Sequence, residues 1–539
     1  MPTALIAVAV PYLAALLRVL ATAGGRITLP DDLALIDLHV RRAMAFRQQL
    51  GVFDHDGWNH PGPAYFYLQS LVYRILGDRP SSLFAGAVLL SGLSALAVLW
   101  VVRRRTSATR TLVAAGILCW LGILLCAHGQ SAMTYSEGPL GGLASPWNPM
   151  VVIVPLLLLM VLSASAVAGS GLSVLGAALV GSVIVQANIS SAPLALLLIA
   201  VAIVGWVAGL VRHRGSGAPP TAAGRLVAAA GGVLLVLAWL PPVIEQLTGH
   251  PGNMTLIARY FSSSRPGQPL SAAWWSLIDV AASAVVGPSQ VMARLLGNRP
   301  PHMVLGVLAL VVAVGSAAAS LVVGIRQRRR FAAGLGLVSL VATLGLLVSF
   351  SRIVGFIFGY LVVWAVVVPL VALLSLALLG VPERWRTGRP LVVLRAVMVG
   401  LVAMASLTFT IAALRTPPTS AASDPQVARL ASLVARELRP GQVVAVGDAG
   451  AGTTETQLLD LERFIGLVNE LDRQGYRPKV NHLWRAQFGP GYQASGHEAA
   501  SFVLETWTPR SPGSPGYLGQ VGDMALFDDV ARQAAAPSR

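Results

Sequence analysis

SLFAGAVLLSGLSALAVLWVV, residues 82–102, carries no ionisable side chain and ends on Arg103-Arg104-Arg105. A helix of about twenty apolar residues spans the ~30 Å hydrocarbon of a bilayer, and the arginines that close it stay with the polar headgroups. Runs of the same character recur near 4–23, 111–127, 149–168, 171–190, 192–211, 225–243, 303–325, 331–350, 357–380 and 391–413. They predict an α-helical polytopic membrane protein with about eleven transmembrane helices.

Composition agrees. The chain has 539 residues, 55% hydrophobic and 12% charged, with mean hydropathy +0.69, which excludes an ordinary soluble shell over most of its length. The formal charge of +16 suggests nucleic acid only if it forms a patch. Instead the arginines sit in short clusters between apolar runs, a topology signal, so no nucleic-acid partner is expected and the lipid bilayer is. Cys119 and Cys126 share one apolar run and read as buried helix residues.

The clusters Arg103–Arg105, Arg212-His213-Arg214, Arg326-Gln327-Arg328-Arg329-Arg330 and Arg384 to Arg389 fall on one side if each run crosses once. That side is the cytoplasm by the positive-inside rule. The expected protein is therefore multi-pass in the cytoplasmic membrane, with its N-terminus inside. The run beginning at Thr3 lacks a basic leader and reads as the first transmembrane helix, not a signal peptide. Residues 1–414 form the transmembrane domain, with outside loops at 25–81 and 244–302. The apolar stretch Pro61–Gly77 would invert every later loop if it crossed, so it reads as a re-entrant or membrane-surface helix.

Residues 415–539 are polar and punctuated by proline and glycine, and predict an extracytoplasmic soluble α/β domain. Helices are expected over Val427–Leu438 and Glu455–Arg473, and strands over Val443–Val446 and Ser501–Thr506. The glycine-rich stretch Gly447-Asp448-Ala449-Gly450-Ala451-Gly452-Thr453 leads from strand towards helix and can hold an anion, but lacks the dinucleotide fingerprint spacing.

Ionisable residues gather in the first outside loop: Leu29-Pro30-Asp31-Asp32-Leu33-Ala34-Leu35-Ile36-Asp37-Leu38-His39-Val40-Arg41-Arg42. Its apolar spacing predicts an amphipathic helix on the membrane, with Asp31 or Asp32 at the N-terminus. One aspartate there is an ordinary cap. Three carboxylates in reduced dielectric, Asp31, Asp32 and Asp37, also supply a general base for a hydroxyl. The loop continues Phe53-Asp54-His55-Asp56-Gly57-Trp58-Asn59-His60-Pro61-Gly62-Pro63-Ala64-Tyr65-Phe66-Tyr67. Trp58, Asn59, His60 and Tyr65 suit either an interfacial aromatic belt or stacking and hydrogen bonding to a sugar.

The pattern from Asp32 to Asp37, then Gly57-Trp58-Asn59-His60-Pro61-Gly62-Pro63-Ala64-Tyr65-Phe66-Tyr67-Leu68, resembles the start of bacterial membrane glycosyltransferases of the GT-C superfamily. Ser145-Pro146-Trp147-Asn148-Pro149 resembles a second motif of such proteins, which adds Trp147 and Asn148 to the candidate substrate-binding residues. The resemblance covers roughly residues 1–380. It implies a shared helix bundle with an outside cavity, a polyprenyl-phosphate sugar donor and inversion at the anomeric carbon. It also implies a catalytic aspartate in the first outside loop, on Asp32 or its neighbour Asp31. The Asp31-Asp32 pair is similar to the acidic pair of actinobacterial arabinofuranosyltransferases, while Asp37 stands where close relatives have glutamate.

A charged lipid headgroup needs cations at the outer surface. Arg259, Arg265, Arg294 and Arg352 are placed to supply them, Arg352 foremost because a short loop between apolar helices holds it. The Pro241-Pro242 pair is expected to stop or kink its helix and turn Glu245 and Gln246 towards the cavity. Asn188, near a helix end, is a further partner for sugar hydroxyls. Asp31, Asp32 and His60 offer ligands for a divalent metal, though no spacing requires one, so the cofactor stays open. The expected acceptor is an envelope glycan, lipid or protein. The sole lysine, Lys479, among many arginines, with abundant alanine, fits a GC-rich bacterium and cell-wall biogenesis. The competing class, a lipid-linked sugar flippase or a non-enzymatic assembly protein, predicts ionisable residues within the spans, which carry almost none.

Overall fold

The computed structural model describes residues 2–54, 56–127, 141–212, 221–263, 265–287, 302–380, 389–439, 441–448, 454–482, 484–496, 498 and 500–535. The apolar runs form α1 (Pro2–Ala21), α4 (Ser81–Arg105), α5 (Ala108–Ala127), α7 (Ile153–Val167), α8 (Gly171–Ala187), α9 (Ala192–Arg212) and α10 (Ala222–Thr248). They continue in α12 (Leu270–Val286), α13 (Met303–Arg326), α14 (Arg330–Ser351), α15 (Val367–Ala377) and α16 (Arg389–Leu414). Between them lie α2 (Asp31–Met44), a short hairpin β1 (Phe53–Asp54) and β2 (Trp58–Asn59), α3 (Ala64–Leu76), α6 (Asn148–Val151) and α11 (Asn253–Ser262).

Nine helical segments among the described residues are long and apolar enough to cross a membrane, joined by three shorter apolar helices. The chain is a polytopic membrane protein. The segment Asn148–Val167 is 94% buried and forms the centre of the bundle, whereas Ala222–Thr248 is only 11% buried and turns its apolar side chains outward, where lipid solvates them.

Several expected boundaries change. The run 357–380 is not one helix: two 3-10 turns, Gly359–Leu361 and Val363–Val366, precede α15. The Trp364 indole donates locally to Leu361 O at 2.8 Å and across the bundle to Ser190 Oγ at 3.0 Å, bonds that compete with helix propagation. The span 244–302 is not loop throughout, because it contains α11 and the largely buried α12. Hydropathy alone missed α12 because Asp279 and several serines dilute it.

Pro241 and Pro242 lie inside α10, which runs on to Thr248 instead of stopping. Proline lacks the N–H that would bond one turn back, leaving carbonyls open. Buried Gln186 on α8 takes one of them, donating from Nε2 to Ala238 O at 3.0 Å, and its Oε1 accepts from Ala64 N at 3.1 Å. One side chain thereby joins α8, α10 and the start of α3.

After α16 the chain builds an α/β unit from α17 (Pro425–Arg436), β3 (Val443–Asp448), α18 (Thr454–Arg473), β4 (Arg477–Val480), α19 (Arg485–Phe488), β5 (Ala500–Thr506), β6 (Tyr517–Val521), β7 (Met524–Asp528) and α20 (Asp529–Ala535). The sheet order is β4-β3-β5-β7-β6, with β3 parallel to β4 and β5, and β7 antiparallel to β5 and β6. Val444, Val446, Phe502, Leu504, Met524 and Leu526 are buried on one face by strand alternation, against α17 and α18. The glycine turn over 449–453 lies outside the described residues, as does Arg294.

The unit docks on the first loop. The Thr28 hydroxyl donates to Asp424 O at 2.7 Å, and Asp424 N donates to Thr28 O at 2.8 Å. Helix α18 lies along α2 in the same direction: Asn469 and Arg473 reach Asp37, while Asp472 and Asn469 reach Arg41. A Cβ at Gly466 would come 2.8 Å from Leu29 O, so a glycine is what allows this approach.

Candidate active site

Helix α2 opens on the acidic pair. Asp31 has φ +48°, a backbone conformation unusual outside glycine. The Asp32 carboxylate accepts from Trp147 Nε1 at 2.8 Å, and Trp147 packs against Tyr360 with ring centroids 5.4 Å apart. Pro149 at the start of α6 fixes the helix entry just after that tryptophan. Burial, then the charges of Asp32 and Glu462, push the Asp31 carboxyl well above the usual range, only partly opposed by a hydrogen bond from the Asp32 backbone N–H. Asp31 thus holds its proton more tightly than a free aspartate does. Asp32, oriented by an indole N–H, is the better placed acceptor of a proton.

Asp37 lies one helical face away and is fully buried. It accepts from Tyr73 OH at 2.5 Å, Arg473 Nε at 2.6 Å and Nη2 at 2.7 Å, and Asn469 Nδ2 at 3.0 Å. Burial alone would raise its carboxyl, but Arg473, Arg41 and Tyr73 outweigh it and hold it down at about 2. With its oxygens so occupied, Asp37 joins the two parts of the chain, away from the pair at the α2 N-terminus.

A second cluster surrounds His60. Its Nδ1 accepts from Ile189 N at 3.2 Å, and burial pushes the imidazole down to about 4, so it is neutral. Asn188 Oδ1 caps the adjoining turn, accepting from Ser190 N at 3.0 Å and Ser190 Oγ at 2.6 Å. The Trp364 indole reaches the same Ser190 hydroxyl, so the segment 358–364 links this cluster to Tyr360 and Trp147. Trp58 packs on His60, Tyr260 and Phe261. Three buried polar atoms here, Trp58 Nε1, Asn148 Oδ1 and Asn188 Nδ2, have no hydrogen-bond partner among the described residues. A buried unpaired group costs about 1–3 kcal/mol, which a polyhydroxylated ligand would recover.

Other expected site residues serve as scaffold. Tyr65 OH donates to Pro146 O at 2.7 Å and accepts from Gln69 at 2.8 Å, which ties α3 to the Trp147 segment. Asn59 exchanges hydrogen bonds with Asn253, its N–H donating to Oδ1 at 2.7 Å and its carbonyl accepting from Nδ2 at 2.8 Å. Glu245 and Gln246 do not turn to a cavity: Glu245 Oε2 accepts from Asn253 N at 3.0 Å and Gln246 Oε1 from Met254 N at 2.9 Å, so they cap α11. The correction follows from α10 running on past its prolines.

Arg259 on α11 and Arg352 at the end of α14 are both exposed, and the intervening segment ties their elements together, Gln268 N donating to Ser351 O at 2.9 Å. Arg265 pairs with Asp56 at 3.4 Å and lies over Tyr260. Among the described residues no three or more of His, Cys, Asp and Glu gather as a metal site, and His60 is occupied by Ile189.

A groove of about 700 Å³ opens between α3, α4, α8 and α10, lined by Leu68, Leu90, Val183, Leu237 and Ile244 together with Tyr67 and Gln48. Gln186, Tyr360 and Glu462 carry no local sequence signal. Each is brought in by an element remote in the chain.

No protein-family model and no curated protein sequence matches this chain. Two solved structures are similar over 98% of this chain and 98% of theirs. They are ArnT from Cupriavidus metallidurans bound to undecaprenyl phosphate, at 15% identity and TM-score 0.51, and the same protein in the apo state, at 12% and 0.44. The first likeness shows a shared fold across the whole length, membrane bundle and C-terminal unit together.

Proposed function

We propose that this protein is a GT-C type glycosyltransferase that moves a sugar from a polyprenyl-phosphate donor to an envelope glycan, lipid or protein at the outer face of the cytoplasmic membrane. The observation that carries the reading is Asp32, held by the Trp147 indole, with the unpaired buried Asn148 Oδ1 next in sequence to that tryptophan. Two features support it. The apolar groove suits an isoprenoid tail, and the fold neighbour ArnT was solved with undecaprenyl phosphate.

In this reading residues 1–414 form the catalytic membrane unit, with the N-terminus cytoplasmic, and 415–539 cover it from outside. Asp32 removes the proton of the acceptor hydroxyl as that oxygen attacks the anomeric carbon. The bond to the lipid phosphate breaks on the opposite face and the configuration inverts. Exposed Arg259 and Arg352 supply positive charge for the leaving phosphate. Trp58, His60, Asn148 and Asn188 hold the sugar. An arabinofuranosyl donor is the specific sugar favoured by the acidic pair in the sequence.

The test is transfer of radiolabelled sugar from a panel of synthetic polyprenyl-phosphate sugars in membranes holding wild type, Asp32→Asn or Asp31→Asn. Turnover with one donor, lost on Asp32→Asn at equal expression and retained more fully on Asp31→Asn, is the expected result. No consumption of any donor would transfer the assignment to a flippase or scaffold.

A further inference from the structure

At the end of the bundle away from the first loop, where α4 closes on Arg103–Arg105, a hollow of about 470 Å³ opens between the start of α5, the end of α15 and the first turns of α16. Two arginines line it, and both are held in place. Arg110 Nη2 donates to Leu379 O at 3.1 Å, and Arg395 Nε donates to Thr109 Oγ1 at 3.1 Å. Gly380, next to that carbonyl, has φ +74°, a conformation that favours glycine, and a Cβ there would come 2.6 Å from Arg110 Nη2. Arg395 is exposed, and among the described residues only its Nε is engaged, so the rest of its fork remains for a ligand. Ser107 and Thr109 add hydroxyls, and among the described residues no Asp or Glu lines the hollow. The remaining wall is apolar, formed by Val113, Leu376, Leu394 and Met398.

The depth of the hollow identifies what fills it. Arg110 lies in the first turn of the span Ala108–Ala127, and Arg395 in the first turn of Val392–Leu414, so both stand where hydrocarbon meets headgroups. The second of these spans is only 17% buried, so the hollow borders the bilayer, and lipid enters it because an empty space there would forfeit dispersion contacts. Charge then selects the lipid. Two guanidinium groups without a carboxylate in the lining call for an anion, which they can bind bidentately, and the apolar wall calls for hydrocarbon. A zwitterionic lipid would bring a second cation beside the arginines. We propose that this hollow is a binding site for an anionic phospholipid, its phosphodiester held by Arg110 and Arg395 and an acyl chain lying along Leu376 and Met398. The lipid ties α16, the helix that leads to the C-terminal unit, to α5 and α15.

Native mass spectrometry of the full chain released from detergent, with phosphatidylglycerol, phosphatidylcholine or inorganic phosphate added, tests this whatever the protein transfers. Wild type should prefer phosphatidylglycerol to phosphatidylcholine about thirtyfold, the product of about fivefold for each arginine near a charged lipid. Arg110→Gln and Arg395→Gln should each reduce the preference about fivefold, and together remove it, while Arg395→Lys should keep most of it and so separate lost charge from misfolding. Met398→Trp retains both charges but narrows the hollow, and should weaken phosphatidylglycerol binding as well. Arg103→Gln with Arg104→Gln, on the same face but outside the hollow, should leave the preference unchanged. Equal retention of the two lipids, a preference that survives the double Arg110 and Arg395 variant, or one that falls equally with Arg103 and Arg104 overturns the site. Inorganic phosphate that displaces phosphatidylglycerol at equal concentration overturns the lipid as its occupant.

Discussion

Replacing Arg473 by methionine keeps most of its packing and removes the charge that holds Asp37. The carboxylate then remains fully buried with Tyr73, Asn469 and Arg41, the last 3.4 Å away, but loses two hydrogen bonds at 2.6 and 2.7 Å. Breaking one side of a buried ion pair costs about 3–5 kcal/mol. A second route gives a similar scale: the carboxyl held at about 2 instead of 3.8 corresponds to about 2.5 kcal/mol at neutral pH. Because the folded carboxyl is more acidic than the free one, this stabilisation is complete above about pH 4 and is lost as pH falls towards 2. The readout is amide hydrogen exchange of α2 and α18 at neutral pH. About 3 kcal/mol lost at the junction raises exchange there about a hundredfold while α7 and α14 stay protected. Adding Asp37→Asn to Arg473→Met should recover much of the protection, since the stranded charge is then gone. Unchanged exchange in the single variant, or a double variant worse than the single, would refute the view that this pair carries the docking.

Three further outcomes follow from the same contacts. Trp147→Phe keeps the ring against Tyr360 but removes the N–H that orients Asp32, so kcat for sugar transfer should fall about tenfold, with thermal stability in detergent nearly unchanged. Gln186→Leu strands Ala238 O and Ala64 N in the bundle, and should cost about 2–4 kcal/mol, seen as a lower midpoint of thermal unfolding. Val183→Trp fills the groove beside α10, so KM should rise for long-chain polyprenyl donors and stay constant for short-chain analogues; an equal effect on both would remove the groove from the donor path.

The legible part of the fold was the part set by the solvent. Each apolar run reports locally whether it belongs in hydrocarbon, so the helices at 2–21, 81–105 and 303–326 needed no tertiary information. The tail elements were legible for a similar reason, since the short apolar run at the start of Val443–Asp448 and the amphipathic spacing in Pro425–Arg436 reflect burial. Asp31 and Asp32 stood out because charge next to apolar sequence is costly and seldom placed without a partner, and Trp147 through the motif that Ser145–Pro149 resembles. Where tertiary bonds compete with local preference, the reading failed: Gln186 carries α10 through its prolines, and Trp364 stops the helix expected over 357–380.

By itself the sequence determined the solvent, most of the spans, the existence of a polar tail and the acidic pair, all properties of residues near one another in the chain. Only the tertiary structure decided what each carboxylate faces. Asp37 and Asp32 are five positions apart on one helix, yet one meets Arg473 in a buried junction and the other meets the Trp147 indole. The charge state of a carboxyl depends on its burial and on charges within a few ångströms, and the one that dominates at Asp37, Arg473, lies hundreds of positions away.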